Sequence, residues 1–509
     1  MGEVCRTTAG VLARAFVGVL ACLALSGCPG TTGGVTGNDP ATAAEGQSET
    51  AAASSYVGHN RIVVAFNDET NSKSNITYTP TNRTTLAGAS LMGWSYSDDS
   101  GTTWMYGGKL SPPKGWAVLW GDPAITSSGA NYNTVFLSNL AVPTSKNPAG
   151  GIQGYLYYDS GASYIGGACI AKSTDGGAHF AIYQCVSNTA PVGAFPDSTN
   201  GHFYDGGSMA SNPSGEIYSA YNDVYTGQID VWRAANENAL FQLMPPPFAG
   251  LTVATHPRLR VGQDGSLYVG AVIRTNSNTP LVYLNRFANG TWGRPTQASN
   301  PTLGYPLIDL NSSVAGSELT IRAGPQFAFD VGAASTGGND AIRLLYTRQD
   351  NPTNNSPFYI DAFACAADLS NCHPVEGWKI GPSGPNETRL DLFNPDVTAW
   401  IGFVGLPPSW QGTFVERYGQ SVTSTNLTRM TLGYVNGNAL AIPVDILSNT
   451  PACSDQRGYL GDYDAMLLTG FQGTAGVYMR FYTNSNAGCT LRWEFVGQQQ
   501  HVGSVQYQY

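Results

Sequence analysis

Short runs of β-branched and aromatic residues alternate with clusters of Gly, Asn, Asp and Ser along most of the chain, and helical periodicity is nearly absent. The one stretch with a helical trace is Ala234–Leu243. A pattern of opening strand, turn and second strand recurs. It appears around Asp122 (WGDPAITSSGANYNTVFLSNL) and Asp205 (FYDGGSMASNPSGEIYSAYND), and from His256 (HPRLRVGQDGSLYVGAVIR), where Asp264-Gly265 makes a two-residue hairpin turn. It returns around Asp330, Asp396 and Asp462, and an incomplete unit, NRIVVAFND, opens at Asn60. The starts fall roughly 50 to 85 residues apart, a spacing that suits four-stranded sheets arranged radially. The pattern predicts an all-β chain folded as a single β-propeller. Six full units and one partial unit give seven blades, or six if two units share one irregular blade. The last strand, ending in VQYQY, is expected to complete the first blade and so remove a free sheet edge.

Two turns have nearly the same sequence. Ser97-Asp98-Asp99-Ser100-Gly101-Thr102-Thr103-Trp104 and Ser173-Thr174-Asp175-Gly176-Gly177-Ala178-His179-Phe180 both read S-x-D-x-G-x-x-aromatic. Asp99 and Asp175 are placed to accept backbone N–H groups within the turn, Gly101 and Gly177 supply positive φ, and Trp104 and Phe180 return as apolar plugs. The motif resembles the Asp-box, or BNR repeat, of sialidases and related β-propellers. The resemblance implies that these residues sit at the outer rim of a blade, away from the ligand-binding face, so they specify architecture and leave the chemistry open.

The first residues lie outside that pattern. Arg6 and Arg14 precede a short apolar run, AFVGVLACLAL, too short to span a bilayer comfortably, and Leu25-Ser26-Gly27-Cys28 resembles a bacterial lipobox. The resemblance implies a signal peptide over 1–27 and acylation of Cys28; an ordinary secretory signal is the alternative. Pro29 after the cysteine implies outer-membrane delivery by likeness to Gram-negative sorting signals. Residues 28–55 are rich in Gly, Ala, Thr and Ser, and read as a lipid-anchored flexible linker holding a folded head, residues 56–509, off the membrane.

Of nine cysteines, six fall in that head, an even number that suits an oxidising compartment. Local pairing is expected, Cys169 with Cys185 across the second turn, Cys365 with Cys372 around a tight turn, and Cys453 with Cys489 in the last blade. No C-x-x-C or His-Cys cluster points to structural zinc. Charged residues make up 12% of the chain and the net charge is −10, so nucleic acid is not an expected partner and the membrane is met through the anchor alone. A monomer is expected.

Candidate chemistry gathers where the inner strands of a propeller open onto the central channel. Asp122, Asp205, Asp396 and Asp462 occupy the same relative position, with His256 in its own unit and Asp330 as a looser match. One reading is a calcium site or an acid/base cluster at the channel mouth; the other is that each Asp caps backbone N–H groups. The sialidase resemblance implies three arginines gripping a carboxylate, a Tyr nucleophile with a Glu partner and a loop Asp. Asn60-Arg61-Ile62-Val63 lacks the aromatic residue and the proline of that family's first-blade motif, so Arg61 does not inherit the carboxylate role. Arg258, Arg274, Arg343 and Arg417 remain as candidates, and Glu416-Arg417-Tyr418 sets the three residue types side by side, where alternation lets two of them at most serve one site. Trp94, Trp116, Trp120, Trp400 and Trp410 suit sugar stacking or, more plainly, packing between sheets. Three functions follow: a surface-anchored propeller binding glycan or protein with no required cofactor, an exo-acting glycoside hydrolase of sialidase type, or a docking lipoprotein of the envelope.

Overall fold

The computed structural model describes 50–55, 61–68, 89–143, 166–187, 204–223, 226–253, 257–274, 280–300, 326–332, 341–349 and 358–375, apart from short breaks, and the backbone alone of further strands. Beyond 389 it describes backbone only. Every regular element among the described residues is a strand, including the neighbourhood of Ala234–Leu243, where a strand ends and a turn follows. Seven of the sheets among the described residues follow one another along the chain, antiparallel except where Ala89–Ser90 pairs in parallel with Trp116–Ser127. Their inner strands are Gln47–Ser55, Trp116–Ser127, Tyr204–Ser211, Arg258–Val261, Phe327–Val331, Arg389–Trp400 and Ala465–Gln472. Each of these strands lies against the next, and Ala465–Gln472 lies against Gln47–Ser55, so the inner strands close a ring. The fold is an all-β propeller.

The ring explains why several strands are apolar at consecutive positions rather than alternately polar. A sheet packed on both faces buries both sets of side chains. On strand Val135–Pro143, Val135 and Leu137 join the core shared with the first sheet, while Phe136 and Leu140 join the core shared with the third. On Ile217–Asp223, Ile217 and Tyr221 face the second sheet, and Tyr218 and Ala220 face the fourth. On Leu267–Arg274, Leu267, Val269 and Ala271 face the third sheet, and Tyr268 and Val272 the fifth. Each fully buried aromatic or aliphatic side chain contributes about 1.5–3 kcal/mol, so the second, third and fourth sheets each depend on both neighbours.

Two readings of the chain ends change. Gln47–Ser55 falls in the stretch read as linker, yet it pairs along its length with Arg61–Asp68, and Thr50, Ala53 and Ser55 are buried. Small residues suit an inner strand because strands crowd at the axis. The C-terminal strand Gln500–Gln508 pairs with Ala475–Ser485 in the last sheet, and Thr32–Gly34 from the N-terminal side adds to its outer edge. The first sheet is instead complete from Gln47–Ser55, Arg61–Asp68, Met92–Ser97 and Met105–Lys109.

Disulfides Cys169–Cys185 and Cys365–Cys372 form as expected. Cys169 and Cys185 are direct partners across the ladder, which places their side chains on one face. Cys453 and Cys489 lie outside the described residues, as do Cys28 and the leader.

Candidate functional site

The two S-x-D-x-G turns are wired alike. Ser97 Oγ accepts the Gly101 N–H at 2.7 Å and donates to Asp99 Oδ1 at 2.8 Å, and Asp99 accepts the Thr103 N–H at 2.7 Å and its hydroxyl at 2.7 Å. Ser173 Oγ accepts the Gly177 N–H at 2.8 Å and donates to Asp175 Oδ1 at 2.7 Å, and His179 donates its N–H to Asp175 at 3.1 Å. Burial alone would raise the Asp175 carboxyl, but hydrogen bonds from His179 and Ser173 outweigh it and bring it down to about 2. Trp104 is buried, and Phe180 meets Trp94 edge-on at 5.4 Å. Arg61 joins the two turns. Its guanidinium pairs with Asp98 in the first and donates to the Asp175 carbonyl in the second, and it lies over the Tyr96 ring.

The inner-strand openings look different. An inner strand has no sheet neighbour on its axial side, so its backbone N–H groups there need other acceptors. The sequence supplies them from the adjacent sheet. Asn67 Oδ1 accepts the Asp122 N–H at 2.9 Å, and Asp122 Oδ2 accepts the Gly206 N–H at 3.1 Å. Ser208 Oγ accepts the Leu259 N–H at 2.8 Å, and at the next junction the direction reverses, Arg258 Nε donating to the Phe327 carbonyl at 3.5 Å. Four consecutive junctions, from the first sheet to the fifth, are thus stapled by polar side chains. Bulges accompany them: the ladder shifts at Gly121–Ala124, at Asp205–Gly207 and at Phe393–Asp396. Asp122 and Gly206 have φ of 50° and 59°, a region Asp tolerates better than most residues. Asp122 therefore accepts a backbone N–H, as the capping reading expected, though from the neighbouring sheet rather than its own strand.

Asp205 differs from Asp122. It is half-buried, and no hydrogen bond or ion pair reaches its carboxylate among the described residues. It pairs across the ladder with Asn222, which is 5% exposed and whose Oδ1 is buried without a donor. Asp330 is met by Arg260 at 3.4 Å. His256 and Asp462 lie outside the described residues, as do the side chains of Asp396, Glu416, Arg417 and Tyr418.

Arg258 and Arg343 meet strand Phe327–Val331 at different points along it. Arg258 binds the Phe327 carbonyl at the start of strand Phe327–Val331, whereas Arg343 pairs across the ladder with Asp330, three residues further along. At about 3.3 Å per residue the two positions lie about 10 Å apart along the strand. Arg343 is buried, and Arg274 is exposed at the end of its strand. Trp94 is buried, and Trp116 and Trp120 pack against the cores on either side of the second sheet.

Two polar constellations carry no motif in the sequence, because their members meet only once the strands of the third sheet pair. Tyr204 donates to Asp230 at 2.8 Å, accepts from Trp232 Nε1 at 3.1 Å and stacks on Tyr221 at 5.0 Å. Burial, then the Asp230 charge, hold the Tyr204 hydroxyl far above its ordinary range. At the opposite end of the third sheet, Glu216 accepts from Tyr218 at 2.6 Å, from Asn212 at 2.6 Å and from Arg233. Burial raises and these partners lower the Glu216 carboxyl, with the lowering dominant. A Tyr–Glu–Arg trio does form in this chain, at the hairpin end of a sheet rather than at the openings.

No protein-family model matches the chain, and no curated protein matches it. Solved structures similar to it include the intramolecular trans-sialidase of Ruminococcus gnavus (11% identity, TM-score 0.40, covering 78% of this chain and 94% of that one). An α-L-arabinanase of Penicillium chrysogenum aligns at 10% identity and TM-score 0.43, over 82% of this chain and 99% of that one. A protein of unknown function from Dyadobacter fermentans aligns at 12% identity and TM-score 0.42, over 77% and 95%. Likeness at this level does not carry shared chemistry.

Proposed function

We propose that the chain is a lipid-anchored, extracytoplasmic propeller of sialidase type, seven-bladed, that binds a glycan or protein ligand at the face where its inner strands open. The observation that carries this reading is the use made of the polar residues there. Asp122 and Arg258 staple neighbouring blades, and Arg61 is spent at the rim between two Asp-box turns. Side chains committed to architecture form a rigid rim on which loops can present a ligand site. The ring of seven inner strands supports the blade count, with six as the lower alternative. Anchoring through Cys28, an outer-membrane address and a monomeric state belong to the same proposal and rest on the sequence.

The test is direct. Full-length protein in detergent micelles is screened against immobilised glycans and, separately, against fluorogenic α-sialosides and arabinosides. Binding without turnover supports the reading. Turnover that disappears in Arg258→Ala or Arg417→Ala, with folding intact, would replace it with an exo-acting glycoside hydrolase.

A further inference from the structure

We propose that the opening of the third sheet holds a single hard divalent cation, calcium, between Asp205 and Asn222. Two observations point there independently. The Asp205 carboxylate has no hydrogen bond or ion pair among the described residues, although Asp99, Asp122, Asp175, Asp230 and Asp330 each have one. Its partner across the ladder, Asn222, is 5% exposed and keeps its Oδ1 buried with no donor. Directly opposed residues of an antiparallel pair carry their Cβ atoms about 4.5–5.5 Å apart on one face of the sheet. The fold therefore sets a charged acceptor and a buried neutral acceptor side by side and gives neither a donor. A buried acceptor left unmade costs about 1–3 kcal/mol.

Three features make the missing partner a cation. Both groups are oxygen acceptors, which suits a hard ion. Asp122 adds negative charge nearby, since its carboxylate holds the N–H of Gly206, the residue after Asp205. Arg258, at the opening of the adjacent inner strand, is turned to Phe327. The enclosure of Asn222 Oδ1 also selects against a sugar ring, which is too large to reach it, and in favour of a partly dehydrated ion. With two or three protein oxygens and the remainder from water, affinity is expected in the range of about 10⁻⁴–10⁻³ M found for extracellular calcium modules. The site is independent of what the propeller binds, so it can fail while the ligand-binding reading stands, and the reverse.

The experiment is calcium titration of chelator-treated full-length protein by calorimetry, with thermal unfolding as a second readout and magnesium as the comparison ion. The proposal expects one ion per chain, a rise in unfolding midpoint with calcium, and at least tenfold weaker binding in Asp205→Asn. Asn222→Asp adds charge and should tighten binding, whereas Asn222→Leu should abolish it. If Asn222→Leu does not fold, the half-exposed Asp205→Asn and the charge-adding Asn222→Asp still decide. No calcium binding by folded wild-type protein, or the same affinity in wild type, Asp205→Asn and Asn222→Asp, would overturn it.

Discussion

At the residue scale, the carboxylates of this chain act mainly as acceptors for backbone and tyrosine donors. Asp99, Asp175 and Asp230 each close a local constellation, and Asp122 closes one between sheets. The Asp175 carboxyl titrates near 2 in the fold against about 3.9 in an unstructured chain. A depressed folded value means that its contribution to stability is present in full above about pH 4 and is lost as pH falls toward 2. Asp175→Asn should therefore lower the urea midpoint at pH 5, and the gap to wild type should close by pH 2. A gap of constant size over that range would show that the ionised form is not what holds the turn. Both turns were legible from eight residues because the serine and aspartate hydrogen bonds that wire them are local, whereas the Arg61 contacts that join them come from 37 and 114 residues away.

At the element scale, the hairpin turns and the sheet junctions follow different logic. Gly177 has φ of 91°, and a Cβ there would meet Val63 Cγ2 at 2.4 Å. The turn thus needs glycine for its backbone and also for its contact with the first sheet. Gly177→Ala should cost more than the ~1 kcal/mol of an unstrained glycine replacement, because positive φ and a clash with a buried valine add together. Chemical unfolding of the variant beside Gly265→Ala, whose Cβ would meet nothing within 4 Å, separates the two effects. The junction staples could not be read from the sequence. Asn67 and Asp122, or Asp122 and Gly206, are 55 and 84 residues apart, and no local pattern marks them as partners.

At the scale of the whole molecule, stability depends on closure. Each core lies between two sheets, so a sheet without one neighbour exposes a full apolar face. Gln47–Ser55 is the inner strand of the first sheet and lies against both the second sheet and the last. Protein beginning at residue 56 should fail to unfold cooperatively and should bind apolar dyes, whereas removal of 1–31 should leave near-ultraviolet dichroism unchanged. Cooperative unfolding of the shorter chain would show that this strand is dispensable.

The sequence by itself determined what alternation and short-range chemistry can express. It determined an all-β chain in repeated units, the two wired turns, and the disulfides Cys169–Cys185 and Cys365–Cys372, whereas Asp122, read as a strand opening, lies at a bulge inside Trp116–Ser127. Tertiary structure decided which sheet each side chain meets, because a strand buried on both faces carries no polar mark of inside and outside. It also decided that Asp122 serves a neighbouring strand while Asp205 is left facing Asn222, since the donors that distinguish them come from other blades. And it drew a Gly, Ala, Thr and Ser stretch into the centre of the ring, where close packing at the axis favours the small residues that in isolation read as linker.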